Sequence, residues 1–291
     1  MDPSNKILAT VFCFTLSVGA SYSQEDSSGS AKDNRPVRSP FENGTLLNNQ
    51  TVVNLQEKTL EMMIQHRFGT FEKGAEDKFG IFGPSNIRFG FDYGITGRIQ
   101  AGIGTTKNNM LEDVRYKIAV LRQTRSGSIP VSVSYFGSIN ITSKKDSILY
   151  PEFLQRLSYF HQIIIARKIS SKISIQAAPG YVHYNIVDSA LGTRHDNIAI
   201  SFSGRVKISA QSSVLFDFDY PVTNASKEEW EAKPNAGIGL EVATSSHAFH
   251  VFIGTSSGIL NAENIVYNRN DFTKPKEGLL IGFNITRSWN F

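Results

Sequence analysis

The stretch LLIGFNITRSWNF, residues 279–291, separates into two alternating sets. Leu279, Ile281, Phe283, Ile285, Arg287, Trp289 and Phe291 form one set, mostly apolar. Leu280, Gly282, Asn284, Thr286, Ser288 and Asn290 form the other, mostly polar. A period of two is the mark of a β-strand with unlike faces. The pattern recurs upstream. Ile87, Phe89, Phe91, Tyr93 and Ile95 oppose Asn86, Arg88, Gly90, Asp92 and Gly94, and Val214, Phe216, Phe218 and Tyr220 oppose Ser213, Asp217 and Asp219.

Twelve strands are read in this way, near 59–68, 86–95, 98–105, 111–121, 129–141, 154–167, 172–186, 197–208, 213–220, 235–244, 248–255 and 279–291. The sixth and seventh are the least regular, because Tyr159–Phe160 and Ile163–Ile165 put bulk on both faces. The connections alternate between short ones (96–97, 122–128, 168–171, 210–212, 245–247) and mostly longer ones (69–85, 142–153, 187–196, 221–234, 256–278), with 106–110 breaking the trend. Short turns on one side and long loops on the other are the layout of a bacterial transmembrane barrel. A soluble β-sandwich has the same alternation. Strand length argues against it, since several strands approach the ~9–11 residues that cross a bilayer when tilted. The fold class expected is therefore all-β, a transmembrane antiparallel up-and-down barrel of about 12 strands.

The two ends of the chain agree with export. Lys6 precedes an apolar run from Ile7 to Ala20, the length of a signal-peptide core and too short for a spanning helix. Residues 1–23 are expected as a signal peptide, 24–58 as a periplasmic N-terminal tail whose part 42–58 packs at the barrel mouth, and 59–291 as the barrel. A last strand ending on Phe291 has the form read by the barrel-assembly machinery of the outer membrane, which together with outer-membrane lipid is the expected partner. Cys13, the single cysteine, lies in the signal segment, so the mature chain offers no thiol chemistry. Net charge is +4, yet Lys and Arg are scattered rather than gathered with stacking aromatics, which excludes a nucleic-acid partner.

On this reading the polar face lines the lumen with Arg88, Asp92, Arg98, Gln100, Asp113, Arg115, Lys117, Arg205, Lys207, Asp217, Asp219 and Glu241. Charges of both signs fit two arrangements equally: a salt-bridge network that stiffens a narrow barrel, or a charged constriction that sets solute preference. On the last strand, Phe283, Ile285 and Trp289 are expected to face lipid, and the inward Asn284 and Thr286 to accept a charge cheaply. Gly254-Thr255-Ser256-Ser257-Gly258 matches the spacing of a nucleophile elbow, but that motif needs a strand-to-helix turn and the sequence continues into a polar loop. The six histidines have no ligand spacing, although His161 and His183 sit on neighbouring strands. No catalytic residue, metal or cofactor is assigned.

Ile64-Gln65-His66-Arg67-Phe68-Gly69, Asn86 to Thr96 and Gly102-Ile103-Gly104, with Arg122-Gln123-Thr124, Pro130-Val131-Ser132 and Asn48-Asn49-Gln50-Thr51, resemble a membrane-bound β-barrel family of gram-negative bacteria known only as a domain of unknown function. The resemblance spans roughly 41–291 and implies a fold and a location, without an activity or site residues. The function expected is a narrow porin-like channel for small solutes. The alternative is a non-conducting barrel that anchors or docks a partner; a lipid hydrolase ranks third.

Overall fold

The computed structural model describes residues 32–144, 150–188, 190–223, 225–227 and 230–291. The signal segment expected at 1–23 lies outside them. Twelve antiparallel strands close into one barrel: β1 Thr59–Thr70, β2 Asn86–Thr96, β3 Ile99–Thr106, β4 Leu111–Leu121, β5 Ser132–Thr142, β6 Leu157–Lys168, β7 Ile173–Tyr184, β8 Asp196–Lys207, β9 Ser212–Pro221, β10 Asn235–Ala243, β11 His247–Gly254 and β12 Leu280–Asn290. Each pairs with its neighbour in sequence, and β12 returns to β1 with Leu60 opposite Trp289 and Ile64 opposite Ile285. Closure leaves no unpaired edge. All twelve strands fall where the alternation places them.

The exterior is apolar on every side. Ile103 on β3, Val114 on β4, Ile163 on β6, Ile198 on β8, Ile238 on β10 and Val251 on β11 are each between 48% and 61% exposed. An apolar surface this continuous is incompatible with water. Between these positions the side chains turn inward and are buried.

The inside is not an open bore. From Phe41 to Val53 the chain runs within the barrel, and Phe41, Leu46, Leu47 and Thr51 have no exposed surface. A bridge between Thr45 and Gln50, with the Leu46 amide donating to the Asn49 carbonyl, folds this segment into a tight loop whose tip is Leu46–Asn49. It enters at the short-turn end, where Pro36 bridges Thr124 of the β4–β5 turn, and returns there, where the Lys58 amide donates to the Gly94 carbonyl. Of residues 42–58, expected to pack at the barrel mouth, 43–53 reach deep into the lumen, while Gln56, Glu57 and Lys58 stay exposed at the mouth. The physical reason is an apolar quartet, Phe41, Leu46, Leu47 and Val52, that water does not accommodate.

A second segment closes the other end. After β11 the chain turns inward through Thr255 and Ser256, both buried, into a short helix α1, Asn261–Tyr267. Ala262, Ile265 and Val266 of α1 join Phe41, Leu46, Leu47 and Val52 in one hydrophobic cluster with the inward residues Phe136, Phe160, Ile164, Ala178, Val182, Leu215 and Phe252. Twelve strands enclose more space than wall side chains alone can fill. Two chain segments fill the rest.

Candidate functional site

The inner wall of β2–β4 carries a ladder of ion pairs. Arg88 donates to Asp113 through Nε and Nη2, both at 2.7 Å, and its Nη1 reaches Gln65 Oε1 at 3.2 Å. Arg115 donates to Asp92 through Nε at 2.8 Å and again through Nη2. Both pairs span from β2 to β4 across the intervening strand. Gly102 stands between Asp92 and Arg115 in the register, and Gly104 stands opposite Asp113. A methyl group on either glycine would fall on the side chain crossing it, Asp92 over Gly102 and Arg88 over Gly104. The bare inner face of β3 is therefore the trough in which the ladder lies.

The remaining charged positions hold the inserted loop. Asp217 Oδ2 accepts the consecutive amides of Asn48 (2.7 Å) and Asn49 (2.9 Å), and Asp219 Oδ1 accepts from Asn49 Nδ2 at 2.8 Å. Lys117 Nζ donates to the Gly44 carbonyl (2.8 Å) and the Val53 carbonyl (3.1 Å), bracing the two arms of the loop. Arg205 joins Glu241 at 2.7 Å and Glu42 at 3.1 Å. Glu241 also accepts from Asn43 Nδ2, and His250 Nδ1 lies 3.1 Å from the Leu46 carbonyl.

Of the lumen positions read from the sequence, Arg88, Asp92, Gln100, Asp113, Arg115, Lys117, Arg205, Asp217, Asp219 and Glu241 are buried on the inner face. Lys207 stops at the mouth, half-buried, its Nζ 3.9 Å from Glu42 Oε1. Arg98 is not a lumen residue. It sits exposed in the turn between β2 and β3, with Nη1 3.3 Å from the Val120 carbonyl. A register shift between Gly94 and Thr96 breaks the alternation just before it.

Sequence reasoning passed over Arg67, Gln65 and Glu61 of β1. Arg67 has no exposed surface and donates to the Leu47 carbonyl (3.0 Å), Asn48 Oδ1 (2.9 Å) and Asn284 Oδ1 (3.0 Å). Its signal was the same alternation, Glu61-Met63-Gln65-Arg67, beside an outward Leu60-Met62-Ile64-His66. Asn284 does face inward, but its Nδ2 grips the Leu46 and Leu47 carbonyls at 3.0 and 2.9 Å. A charged side chain there would displace those two contacts.

Ser256, centre of the Gly-x-Ser-x-Gly stretch, donates to Asn235 Oδ1 at 2.9 Å, while His250 turns to the inserted loop. Serine and histidine do not meet. His161 and His183 do not pair either: their cross-strand partners are Tyr181 and Tyr159.

The space that remains is uneven. At the short-turn end a vestibule of about 720 Å³ lies below the loop, bordered by Arg38, Glu61, Gln123, Arg205, His247 and Thr286. Above the tip, a cavity of about 20 Å³ lies between Gln65, Asp113, Arg115, Phe136 and Leu260. That is room for about one water molecule. Loop tip and helical segment touch here, where Asn261 Nδ2 donates to Asn49 Oδ1 at 3.2 Å. Loop tip and helical segment thus occupy the lumen between its two ends.

A family model described as a membrane bound beta barrel domain (DUF5777) matches residues 41–289. The chain belongs to this family. The matched span takes in the inserted loop as well as the barrel strands. No curated protein matches the chain. Among solved structures it is similar to the NanC porin, with 9% identity and a TM-score of 0.51 over 80% of this chain and all of that one. It is also similar to an outer membrane channel from Pseudomonas putida F1, with 9% identity and a TM-score of 0.50 over 81% of this chain and 97% of that one. At such identities the likeness is one of fold.

Proposed function

We propose that this protein is an outer-membrane channel for small polar solutes, closed at rest by its own residues 41–53. The observation that carries this reading is the chemistry of the contact between wall and loop. The loop is not a strand of the barrel; polar side chains of the inner wall hold it by hydrogen bonds, so its withdrawal would leave the closed sheet intact and open a passage with a charged side on β2–β4. The fold likeness to a porin and a channel supports the same reading. Export through the N-terminal segment and assembly through the strand ending at Phe291 complete it. The interior charges are nearly balanced, so preference among ions would be weak and would follow Lys117, Arg205 and Asp217 rather than Arg98.

Planar-bilayer recording tests the proposal. Wild type should dwell closed, with rare conductance steps. A full-length chain carrying Leu46→Glu and Leu47→Glu puts two carboxylates in an apolar cluster and should expel the loop, giving frequent steps in a barrel that still migrates as heat-modifiable on a gel. A heat-modifiable variant whose loop is expelled and that never conducts overturns the proposal. One observation favours a second reading, a non-conducting barrel that anchors or docks a partner: α1 and the loop share a single dry cluster, as a permanent core would. The same silent variant would support it.

A further inference from the structure

The wall addresses the loop mainly through its main chain. Arg67 and Asn284 donate to the Leu47 carbonyl and Asn284 also to that of Leu46; Lys117 takes the carbonyls of Gly44 and Val53; Gln176 Nε2 takes that of Gln50 at 2.7 Å; and Ser134 takes that of Val52 at 2.9 Å. Asp217 meets these donors with the complementary contact. One carboxylate oxygen caps the consecutive amides of Asn48 and Asn49, the arrangement by which successive backbone N–H groups bind an anion. None of these bonds depends on which side chain the loop residue carries. Leu46 and Leu47 share one buried apolar cluster with Phe252 and Leu215 of the wall.

We propose that this inner wall is a peptide-binding site, built from Arg67, Lys117, Gln176, Asp217, His250 and Asn284, which the protein's own loop occupies in cis and a polypeptide segment can occupy in trans. This rests on the reading that the loop can leave. It goes beyond that reading by naming the chemical class the lumen holds, a chain of amides with small apolar side chains. Alternating carbonyl acceptors and paired N–H donors are what a peptide offers. A neutral sugar can also pair hydroxyls on a carboxylate, but it does not alternate carbonyl acceptors with N–H donors at the spacing of a main chain.

The test uses the full-length Leu46→Glu, Leu47→Glu chain in detergent, with a fluorescent synthetic peptide of residues 41–55 read by polarisation. Loop withdrawal is monitored separately by maleimide labelling of Asn49→Cys in a Cys13→Ser background. The peptide should bind the expelled variant and not wild type, whose site is filled. N-methylation of the peptide at Asn48 and Asn49 should weaken binding about tenfold or more, the effect of losing a hydrogen bond to a charged group, and should lose that effect in an Asp217→Asn receptor, whereas alanine at those two side chains acts through Arg67 and Asp219 and is indifferent to Asp217. A chain lacking 41–53 serves as the second receptor. Where the introduced thiol labels readily yet no peptide binds either receptor, the inference is overturned and the channel reading stands. Displacement of the peptide by a neutral oligosaccharide, or equal binding of the methylated peptide, also overturns it. A thiol that stays protected from maleimide in the expelled variant overturns the movable loop and this inference with it.

Discussion

Strands β2–β4 and β5–β7 face the same lumen and are built on opposite rules. The inner positions of β2–β4 carry Arg88, Asp92, Asp113, Arg115 and Lys117, with glycine beneath them. Those of β5–β7 are uncharged until Lys168 at the mouth, and include Ser134, Phe136, Ser138, Phe160, Gln162, Ile164, Gln176, Ala178 and Val182. The charged wall satisfies itself, each arginine meeting a carboxylate two strands away. The neutral wall cannot do so, because an apolar surface needs something apolar pressed against it. Its partners are Leu46, Leu47 and the buried face of α1. One side of this barrel therefore behaves as a lined passage, the other as half of a globular core, and the inserted loop reconciles them.

The largest effect should come from breaking the charged wall on one side only. Asp113→Leu leaves Arg88 buried without its carboxylate and should cost about 3–5 kcal/mol, whereas Asp113→Leu with Arg88→Met should restore most of it. Across the lumen, Ile164→Ala should cost about 2–5 kcal/mol with no such rescue, because that wall loses contact rather than charge balance. Denaturant midpoints of the heat-modifiable band compare the three. An additive double variant at 88 and 113 would erase the distinction between the walls.

A lysine scan of β12, which closes beside the charged wall, sharpens it further. Phe283→Lys places a charge on the outer face and should cost about 2–4 kcal/mol at mid-membrane. Asn284→Lys should also destabilise, since it sets a cation against Arg67 and releases the Leu46 and Leu47 carbonyls. Thr286→Lys should be the mildest, because Thr286 borders the vestibule and the ammonium can reach water. Equal cost at 284 and 286 would mean that facing alone, and not the loop, governs tolerance.

The smallest effect concerns α1, on the neutral side. Burial pushes the Glu263 carboxyl up to about 7, although its Oε1 accepts from Asn109 Nδ2 at 3.3 Å. A carboxyl with a raised folded-state pKa adds stability below its unfolded value near 4.5 that is lost as pH rises through about 7. Docking of 259–267 should loosen as pH rises from about 4.5 to 7 and level off above 7, read as amide exchange that accelerates beyond the intrinsic rise over that window alone. Glu263→Gln should remove the dependence. An unchanged pH profile in that variant would show that Glu263 does not control the segment.

The irregular reading of β6 and β7 has a concrete cause in this contrast. Tyr159 and Phe160, or Ile163, Ile164 and Ile165, look wrong for a barrel with a wet interior, because both faces are bulky. The inward members, Phe160 and Ile164, pack against the loop and α1. Pro179, which has no N–H to give, also interrupts the β6–β7 ladder between the Gln162–Gly180 and Ile165–Ala177 pairs.

The barrel itself was legible residue by residue, since strand alternation is a local property: each residue's face follows from its neighbours two places away. That rule placed Arg88, Asp113, Asp217 and Glu241 inside without any tertiary information. It had no means of saying what those side chains meet. Pairs such as Arg88–Asp113 over Gly104, or Asp217 with the Asn48 and Asn49 amides 169 and 168 residues away, depend on which strands become neighbours and on what enters the space between them. The fate of 41–53 lay further still from local reach. A short polar stretch around four apolar residues reads as a tail until a lumen exists whose dry half those residues can cover, and that lumen forms only when β1 meets β12.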